Sequence, residues 1–321
     1  MRILVTGGAG FIGSHLCERL VADGHSVTAL DDFSTGRILN LESLLGSTNF
    51  TLVEGSILDT ALLNQIVGGS DYIFHLAAAV GVFNIVNHPL ESLMTNIRGT
   101  ENVLEAAHIL DIPVFLTSSS EVYGKNISDS LKESDDRVLG SPITLRWSYS
   151  EAKAIDESLA FAYFIEKNLQ IRIVRFFNTV GPRQLGAYGM VVPRFVSSAI
   201  KSEPITIYGD GEQTRCFAHV YDVIDAVVSI AFADNTIGKV INVGNDYEIS
   251  INSLARKIID QTESKSEIVY IPYEKAYGDG FEDMERRVPN INLINQLVGW
   301  KPKRDLTTII RDISAEMKKD S

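Results

Sequence analysis

Cysteine is scarce in this chain of 321 residues, which has only Cys17 and Cys216 and no CxxC or Cys/His spacing. A disulfide framework is therefore not expected, no metal site is predicted, and a reducing cytoplasm is the favoured compartment. Positive charge is also in short supply, because 29 lysines and arginines face 41 aspartates and glutamates, which leaves a net charge of −12. Such an acidic surface argues against nucleic acid and anionic lipid as partners, but oriented amides and a few arginines still suffice to bind a small phosphate-bearing molecule.

Long hydrophobic runs are lacking as well. The longest apolar stretch, residues 73–86, is interrupted by His75, Gly81 and Asn84, so we expect no membrane-spanning segment and no membrane partner. Hydrophobic residues make up 45% of the chain and charged residues 22%, which is typical of folded globular proteins. The composition therefore predicts a soluble cytoplasmic enzyme or binding protein.

The first 180 residues alternate short apolar runs with longer amphipathic ones. The runs rich in Val, Ile, Leu and Phe, which predict strands buried on both faces, are residues 2–6, 26–30, 51–54, 72–76, 114–117 and 171–176. Apolar residues at three- and four-residue spacing predict helices over residues 11–23, 92–110 and 150–167. This alternation predicts an α/β fold, a Rossmann-type doubly wound parallel sheet.

The rhythm changes after Phe177. A turn at residues 208–211 is followed by a predicted helix (220–232), strand (240–243) and helix (251–261), and then by a polar C-terminal segment. We therefore predict a nucleotide-binding domain over residues 1–180, rejoined by about 215–245, and a smaller C-terminal α/β substrate-binding domain over 181–321.

A glycine motif directly follows the first predicted strand and opens the first predicted helix. Gly7 permits a tight turn, Gly10 lets backbone amides approach a pyrophosphate, and Gly13 lets the helix pack closely on the strand. The second strand ends at Asp31 and Asp32, where a carboxylate can accept the adenosine ribose hydroxyls and would repel a 2′-phosphate. The motif predicts dinucleotide binding, with NAD preferred over NADP.

The GxxGxxG spacing of this motif resembles that of the extended short-chain dehydrogenase/reductase family, in the branch that acts on nucleotide-activated sugars. The resemblance continues in order along nearly the whole chain, through residues 75–78 (HLAA), 117–124 (TSSSEVYG), 149–153 (YSEAK), 175–178 (RFFN) and 181–183 (GPR). It implies NAD as cofactor and a UDP-sugar as substrate.

The resemblance also implies which residues bind each ligand. The implied cofactor-binding residues are Gly7, Gly10, Phe11, Ile12, Gly13, Asp31, Asp32, Ser34, Ser56, Ile57, Leu76, Ala77, Ala78, Asn96, Thr117, Tyr149, Lys153 and Phe176. The implied substrate-binding residues are Val80, Glu121, Asn178, Val192, Arg194, Tyr208, Arg215 and Arg287. The implied catalytic residues are Ser119, Ser120, Glu121, Tyr149, Lys153 and Arg287.

Tyr149 and Lys153 are four residues apart, so they share one face of a predicted helix. A phenol is a poor base at neutral pH unless cationic neighbours stabilise the phenolate. Lys153 and the nicotinamide charge would do so, which would let Tyr149 take a sugar hydroxyl proton while Ser119 holds the same oxygen.

The pair Ser120-Glu121 bears on the reaction that follows oxidation. Sugar 4,6-dehydratases of this family carry Asp-Glu here, and simple 4-epimerases usually carry small or neutral residues, whereas Ser-Glu resembles UDP-glucuronate decarboxylases. Residues 146–150 (RWSYS) and 277–289 (YGDGFEDMERRVP) resemble that group too, and they imply that Arg287 lies near the sugar carboxylate. Arginine suits this task because its planar fork pairs with a carboxylate at two points.

Other positions depart from the decarboxylase pattern. Ala152 and Ala154 flank the lysine where xylose-forming decarboxylases often have Gly and Arg, and Met190 stands where they carry an arginine. A UDP-glucose or UDP-glucuronate 4-epimerase therefore stays open, as does, more remotely, a non-catalytic NAD-binding regulatory protein. The decarboxylase reading predicts UDP-xylose or a UDP-4-keto-pentose as product.

The resemblance finally implies a homodimer in which helices 92–110 and 150–167 pack against their symmetry mates. Ile155, Leu159 and Tyr163, at four-residue spacing, would form the seam if they face outward. The alternative is that this stripe faces the chain's own sheet.

Overall fold

A parallel β-sheet forms the centre of the molecule. The computed structural model describes residues 1–81, 88–186, 190–272, 275, 284 and 286–319. Its strands are β1 Arg2–Thr6, β2 Ser26–Asp31, β3 Phe50–Glu54, β4 Tyr72–His75, β5 Val114–Ser119, β6 Ile171–Phe176, β7 Thr179–Val180, β8 Ile205–Tyr208, β9 Thr214–Cys216, β10 Ala218–His219, β11 Val240–Val243, β12 Glu248–Ser250 and β13 Ile268–Ile271.

Seven of these strands pair in the order β11-β6-β5-β4-β1-β2-β3, and every pairing in that sheet is parallel. The chain runs from β1 outward to β3, then crosses to β4 on the other side of β1. The direction of winding therefore reverses between β1 and β4, and the crevice at the carboxyl ends of these strands is where such sheets bind ligands. The predicted doubly wound parallel sheet is confirmed.

Helices cover both faces of the sheet. The helices are α1 Phe11–Ala22, α2 Thr60–Val67, α3 Pro89–Ile109, α4 Ser148–Lys167, α5 Val191–Lys201, α6 Val220–Ala231, α7 Ile251–Thr262, α8 Asn292–Val298 and α9 Leu306–Lys319. Side chains of α1 and α6 pack with strands β1, β2 and β4 in one buried cluster, and those of α2, α3 and α4 pack in another on the opposite face. Burial on both faces is the reason why these strands are almost entirely apolar.

A third buried cluster joins α5, α7 and α9 to the pair β8–β13. The polar C-terminal segment, for which the sequence analysis predicts no element, contains the helices α8 and α9. In α9 the apolar residues Leu306, Ile309, Ile310 and Ile313 face this cluster while polar residues face outward. Strand β11 pairs with β6 in the main sheet. The division of the chain into two domains at about residue 180 stays a prediction.

Helices α3 and α4 pack against each other on the outside of the sheet. On α4, Ile155 is exposed, whereas Leu159 and Tyr163 are partly buried against the chain's own core. The Tyr163 hydroxyl donates a hydrogen bond of 2.7 Å to Glu105 on α3. The predicted stripe is therefore divided between the core and the surface. None of the helices in the described part of the chain is long and apolar enough to span a bilayer.

Candidate active site

The glycine loop connects β1 to α1 at the carboxyl edge of the sheet. Gly7 has a φ of +70°, in the region that favours glycine, and a Cβ atom there would lie 2.7 Å from the amide nitrogen of Ala77. A Cβ atom on Gly13 would lie 2.1 Å from the carbonyl oxygen of Gly7. Both positions therefore exclude a side chain, as the sequence predicts for a loop that approaches a pyrophosphate.

The amino end of α1 fits a bound phosphate. Gly10 is the N-cap residue, no side chain caps the helix, and the first turn has no acidic residue. Phe11 and Ile12, the first helical residues, are partly exposed. The first-turn amides and the helix dipole are thus presented to the crevice, which is the arrangement that holds the pyrophosphate of a dinucleotide.

Asp31 ends β2 next to this loop. Its carboxylate accepts hydrogen bonds from the amides of Ala9 (2.8 Å) and Phe33 (2.9 Å), and burial raises its pKa despite these bonds. Asp32 instead lies at the surface, where it accepts hydrogen bonds from the amide and hydroxyl of Ser34. Asp31 is therefore the carboxylate that the fold brings to the glycine loop, and Asp32 and Ser34 form a turn beside it.

The loop after β4 is fixed by buried polar groups. The amide of Ala77 donates to the Thr6 hydroxyl (3.2 Å), and the Asn96 side chain holds both backbone groups of Ala79. Thr117 donates to the carbonyl of His75 (3.0 Å). Asn96 and Thr117 thus orient this loop through their own side chains.

The remaining residues predicted to bind the cofactor lie at the same edge of the sheet. Leu76 and Ala78 flank Ala77 and are partly exposed, as is Phe176 at the end of β6. Ser56 follows β3 and accepts from the Leu58 amide, and Ile57 is buried against Gly99. The crevice therefore has the glycines, the free helix end and the β2 carboxylate that a dinucleotide requires.

Tyr149, Lys153 and Ser119 lie together, because α4 packs on the end of β5. Tyr149 hydrogen bonds with Ser119, and Ser119 Oγ accepts from the Glu121 amide at 3.2 Å. Burial raises the pKa of Tyr149, and the charge of Lys153 opposes this effect without overcoming it. Lys153 Nζ is almost wholly buried and donates to the carbonyl of Thr117 and to Asp156, each at 3.1 Å.

Glu121 lies between two arginines in the same site. Its carboxylate is 2.7 Å from Arg146 Nη1 and 2.5 Å from Arg287 Nη1, and all three side chains are at most 14% exposed. Burial alone would raise the pKa of Glu121, but the two guanidinium groups hold it well below its usual range. Glu121 is therefore an anion in this site, and the three side chains, which we call the carboxylate clamp, carry a net charge of +1.

The clamp reaches the residues predicted to bind substrate through Asn178, whose Oδ1 accepts from Arg287 Nη2 at 2.9 Å. Ser120, next to Glu121, is buried. The sequence did not single out Arg146 as a site residue. The signal available was its position three residues before Tyr149, within a 3₁₀ turn, Leu145–Trp147, that leads into α4.

Of the other predicted substrate residues, Val192, Arg194, Tyr208 and Arg215 lie from α5 to β9, and Val80 lies in the loop after β4. The Arg194 guanidinium packs over the Tyr208 ring, 4.6 Å from its centroid. Arg215 is buried and donates to the carbonyl of Thr214. Val192 is completely buried in the third cluster, so its side chain is closed to substrate and only its backbone is available. Val80 is partly exposed at the end of the loop after β4.

Part of the motif at residues 277–289 lies outside the described residues, namely 277–283 and 285. Of the rest, Met284 and Val288 are buried and Arg287 belongs to the clamp. The described residues contain no group of three or more His, Cys, Asp or Glu side chains that could hold a metal ion.

Comparison with known proteins gives a family and named relatives. The family model described as GDP-mannose 4,6 dehydratase matches residues 4–313. The UDP-N-acetyl-alpha-D-glucosaminuronate decarboxylase of Bacillus cytotoxicus is 41% identical over 302 residues, which are 94% of this chain and 92% of that protein. UDP-glucuronic acid decarboxylase 1 of Xenopus tropicalis is 37% identical over 94% of this chain and 68% of its own length.

Solved structures of similar fold include an epimerase. The UDP-glucuronic acid 4-epimerase of Bacillus cereus, in complex with UDP-glucuronic acid and NAD, superposes with a TM-score of 0.90 and 28% identity over the full length of both chains. A dTDP-glucose 4,6-dehydratase of Bacillus anthracis, in complex with NAD, has a TM-score of 0.87 and 25% identity. The similar proteins therefore include decarboxylases, epimerases and dehydratases of nucleotide sugars.

Proposed function

This chain belongs to the GDP-mannose 4,6-dehydratase family and is a nucleotide-sugar-modifying enzyme; from that premise we propose that it is an NAD-dependent UDP-glucuronate decarboxylase. The carboxylate clamp is the observation that carries this proposal. A buried site of net charge +1 beside Tyr149 and Ser119 is suited to a sugar that itself bears a carboxylate. The names of the two decarboxylases reported above support decarboxylation of a UDP-hexuronate: one is named for UDP-N-acetyl-alpha-D-glucosaminuronate and the other for UDP-glucuronic acid.

Tyr149 would begin the reaction by taking the proton of the sugar C4 hydroxyl, while Ser119 holds that oxygen in line. Lys153, on the same face of α4, supplies the positive charge that favours the phenolate. NAD, held by the glycine loop, the first turn of α1 and Asp31, would accept and later return the C4 hydride. Oxidation at C4 makes a β-keto acid of the sugar.

Decarboxylation then breaks the C5–C6 bond, and its electron pair passes toward the C4 ketone as CO₂ leaves. A proton returns to C5, and reduction of the ketone gives UDP-xylose, whereas early release gives the UDP-4-keto-pentose. Because Glu121 is held as an anion, we assign it and Ser120 to the orientation of C5, C6 and the returning proton. Arg287, which also contacts Asn178, would face the substrate carboxylate.

A UDP-glucose or UDP-glucuronate 4-epimerase is the second candidate. The similarity to the Bacillus cereus epimerase favours it, because a 4-epimerase needs the same Tyr149, Lys153 and Ser119. The clamp favours a sugar that bears a carboxylate over UDP-glucose, because a neutral hexose gives a buried cationic cluster no partner. It suits decarboxylation and 4-epimerisation of UDP-glucuronate equally, so the pair Ser120-Glu121 and the named decarboxylase relatives are what favour decarboxylation.

We also propose that the protein acts as a homodimer in the cytoplasm. The exposed Ile155 on α4, next to α3, supports an association through these two helices. The two buried, unpaired cysteines are compatible with a reducing compartment.

Product analysis with separate substrates tests the proposal. The enzyme is incubated with NAD and one of UDP-glucuronate, UDP-N-acetylglucosaminuronate and UDP-glucose, and the products are identified by mass spectrometry and proton NMR. We expect loss of CO₂ from UDP-glucuronate and no conversion of UDP-glucose. Loss of CO₂ from UDP-N-acetylglucosaminuronate alone would show that this sugar, and not UDP-glucuronate, is the substrate. C4 inversion without loss of carbon would show that the enzyme is a 4-epimerase.

A further inference from the structure

Buried hydroxyl and imidazole groups connect the loop after β4 to the interior face of α3. Thr6, at the end of β1, contacts His75 through Oγ1 and Nδ1 at 2.8 Å. The other ring nitrogen of His75, Nε2, is 3.1 Å from Thr100 Oγ1 on α3. Thr6, His75 and Thr100 are each at most 1% exposed. None of these three groups has a role in the reaction described above.

Hydrogen positions in this series follow from its two ends. At one end the Ala77 amide donates to Thr6 Oγ1, so the Thr6 hydroxyl proton is free to go to His75 Nδ1. Burial lowers the pKa of His75 to about 3, so the ring is neutral and carries a single proton. With the Thr6 hydroxyl donating to Nδ1, that proton lies on Nε2, which then donates to Thr100. The Thr100 hydroxyl proton then needs an acceptor.

The buried carboxyl of Asp156, with which Thr100 interacts, is the group that can accept this hydroxyl proton. Its Oδ2 accepts from Lys153 at 3.1 Å, whereas its Oδ1 is fully buried and has no hydrogen-bond partner of ordinary geometry among the described residues. Thr100 faces this carboxyl and its interaction lowers the pKa of Asp156, which burial raises. The opposite hydrogen order would send the Thr100 proton back to His75, so no hydroxyl proton would face the buried Asp156 Oδ1.

We infer that Asp156 is a positioning residue for Lys153, and that Thr6, His75 and Thr100 form a one-way hydrogen-bond chain from the Ala77 loop to its carboxylate. This hydrogen-bond chain fixes the Asp156 carboxylate. Lys153 then lies between Asp156 and the Thr117 carbonyl, on the same face of α4 as Tyr149. The inference rests on the proposed function in one respect, namely that Tyr149 and Lys153 move the proton of the sugar hydroxyl. A decarboxylase and a 4-epimerase share that step.

The charge of Asp156 has a measurable consequence at Tyr149. The charged groups that face the Tyr149 hydroxyl are Lys153, which favours the phenolate, and Glu121 and Asp156, which oppose it. Removing the charge of Asp156 removes one opposing anion, so the pKa of Tyr149 falls. The acid limb of the kcat/KM profile therefore shifts to lower pH in Asp156→Asn, by about one pH unit.

The pH profile is measured with whichever UDP-sugar the wild type converts. Glu166→Gln is the matched control, since it removes one carboxylate from an exposed position on the same helix and leaves the limb in place. If the folded Asp156→Asn enzyme has the same acid limb of kcat/KM as the wild type, the inference is overturned.

If that variant does not fold, two threonine variants replace it. Thr100→Val lowers kcat by about tenfold, the scale of one lost hydrogen bond, and Thr100→Ser restores it. Equal loss in both threonine variants also overturns the inference.

A second readout needs neither substrate nor NAD. Nitrogen NMR of the protein alone reports the tautomer of His75. The proposed hydrogen-bond chain requires the form protonated at Nε2 over the whole neutral pH range. The form protonated at Nδ1 would overturn the inference, whatever the enzyme converts. Failure of the proposed function is seen separately, as the wrong product from the wild-type enzyme.

Discussion

Glu121 has an unusual position for an acid–base group, because two arginines bind its carboxylate at once. Arg146 and Arg287 hold its pKa well below its usual range, so it is an anion at neutral pH. Its contribution is then electrostatic and geometric, because it pairs with two buried guanidinium groups at once. We expect a substrate carboxylate at Arg287 to complete the charge balance of the clamp.

Glu121→Gln tests this role. Glutamine keeps the size of the side chain but leaves two buried guanidinium groups without an anion, so turnover of UDP-glucuronate should fall by roughly 10²-fold while NAD binding is unchanged. Steady-state kinetics and calorimetric titration of NAD measure the two effects.

Glu248→Gln is the matched control, because Glu248 also bridges an arginine, Arg286, but at the protein surface. Its activity should equal that of the wild type. Normal turnover by Glu121→Gln would show that the clamp has no part in the reaction.

We expect Asp31, at the end of β2 beside the glycine loop, to determine the choice of dinucleotide. Its carboxylate is fixed by the Ala9 and Phe33 amides and lies so close to Gly36 that a Cβ atom there would be 2.6 Å from it. A 2′-phosphate would bring about two negative charges against this group. We expect NAD to bind at least tenfold more tightly than NADP, about 1.4 kcal/mol, in parallel calorimetric titrations. Equal affinities would contradict this assignment.

Elements that are buried on both faces could be predicted closely from the sequence. Strands β6 and β11 have the bounds that their apolar runs indicate, and α1 differs only by one residue at its end. Helices α5 and α9 were missed, although the spacing of the apolar residues in α9 carries the signal. Each of these helices buries an apolar face in the third cluster, and polar residues lie between the apolar ones along the sequence.

The site could be predicted only in part, for a similar reason. Tyr149 and Lys153 have a local spacing that a sequence shows, and the structure brings both to Ser119. The contacts of Arg146 with Glu121, and of His75 with Thr100, join residues 25 apart in the chain, and no periodicity predicts such a pair. Only the folded sheet brings them together.

For the molecule as a whole, we expect two copies to associate through α3 and α4. If Ile155 lies in a seam between two copies of α3 and α4, static light scattering at micromolar concentration should give twice the 35.4 kDa of one chain. Ile155→Asp should then shift the mass toward the monomer, because a carboxylate would be buried without a partner. Ile127→Asp is the control, since Ile127 is 98% exposed and lies outside both helices. A monomeric wild type would reject the dimer.

The central claim is that the sugar loses its carboxylate in this site. UDP-glucuronate labelled with ¹³C at C6 is given to the enzyme with NAD, and the label is followed by carbon NMR. The account predicts that the label leaves the nucleotide sugar and appears as CO₂ and bicarbonate, in step with the formation of UDP-xylose or the UDP-4-keto-pentose. If the label instead stays on a UDP-hexuronate whose C4 has been inverted, the decarboxylase assignment is wrong.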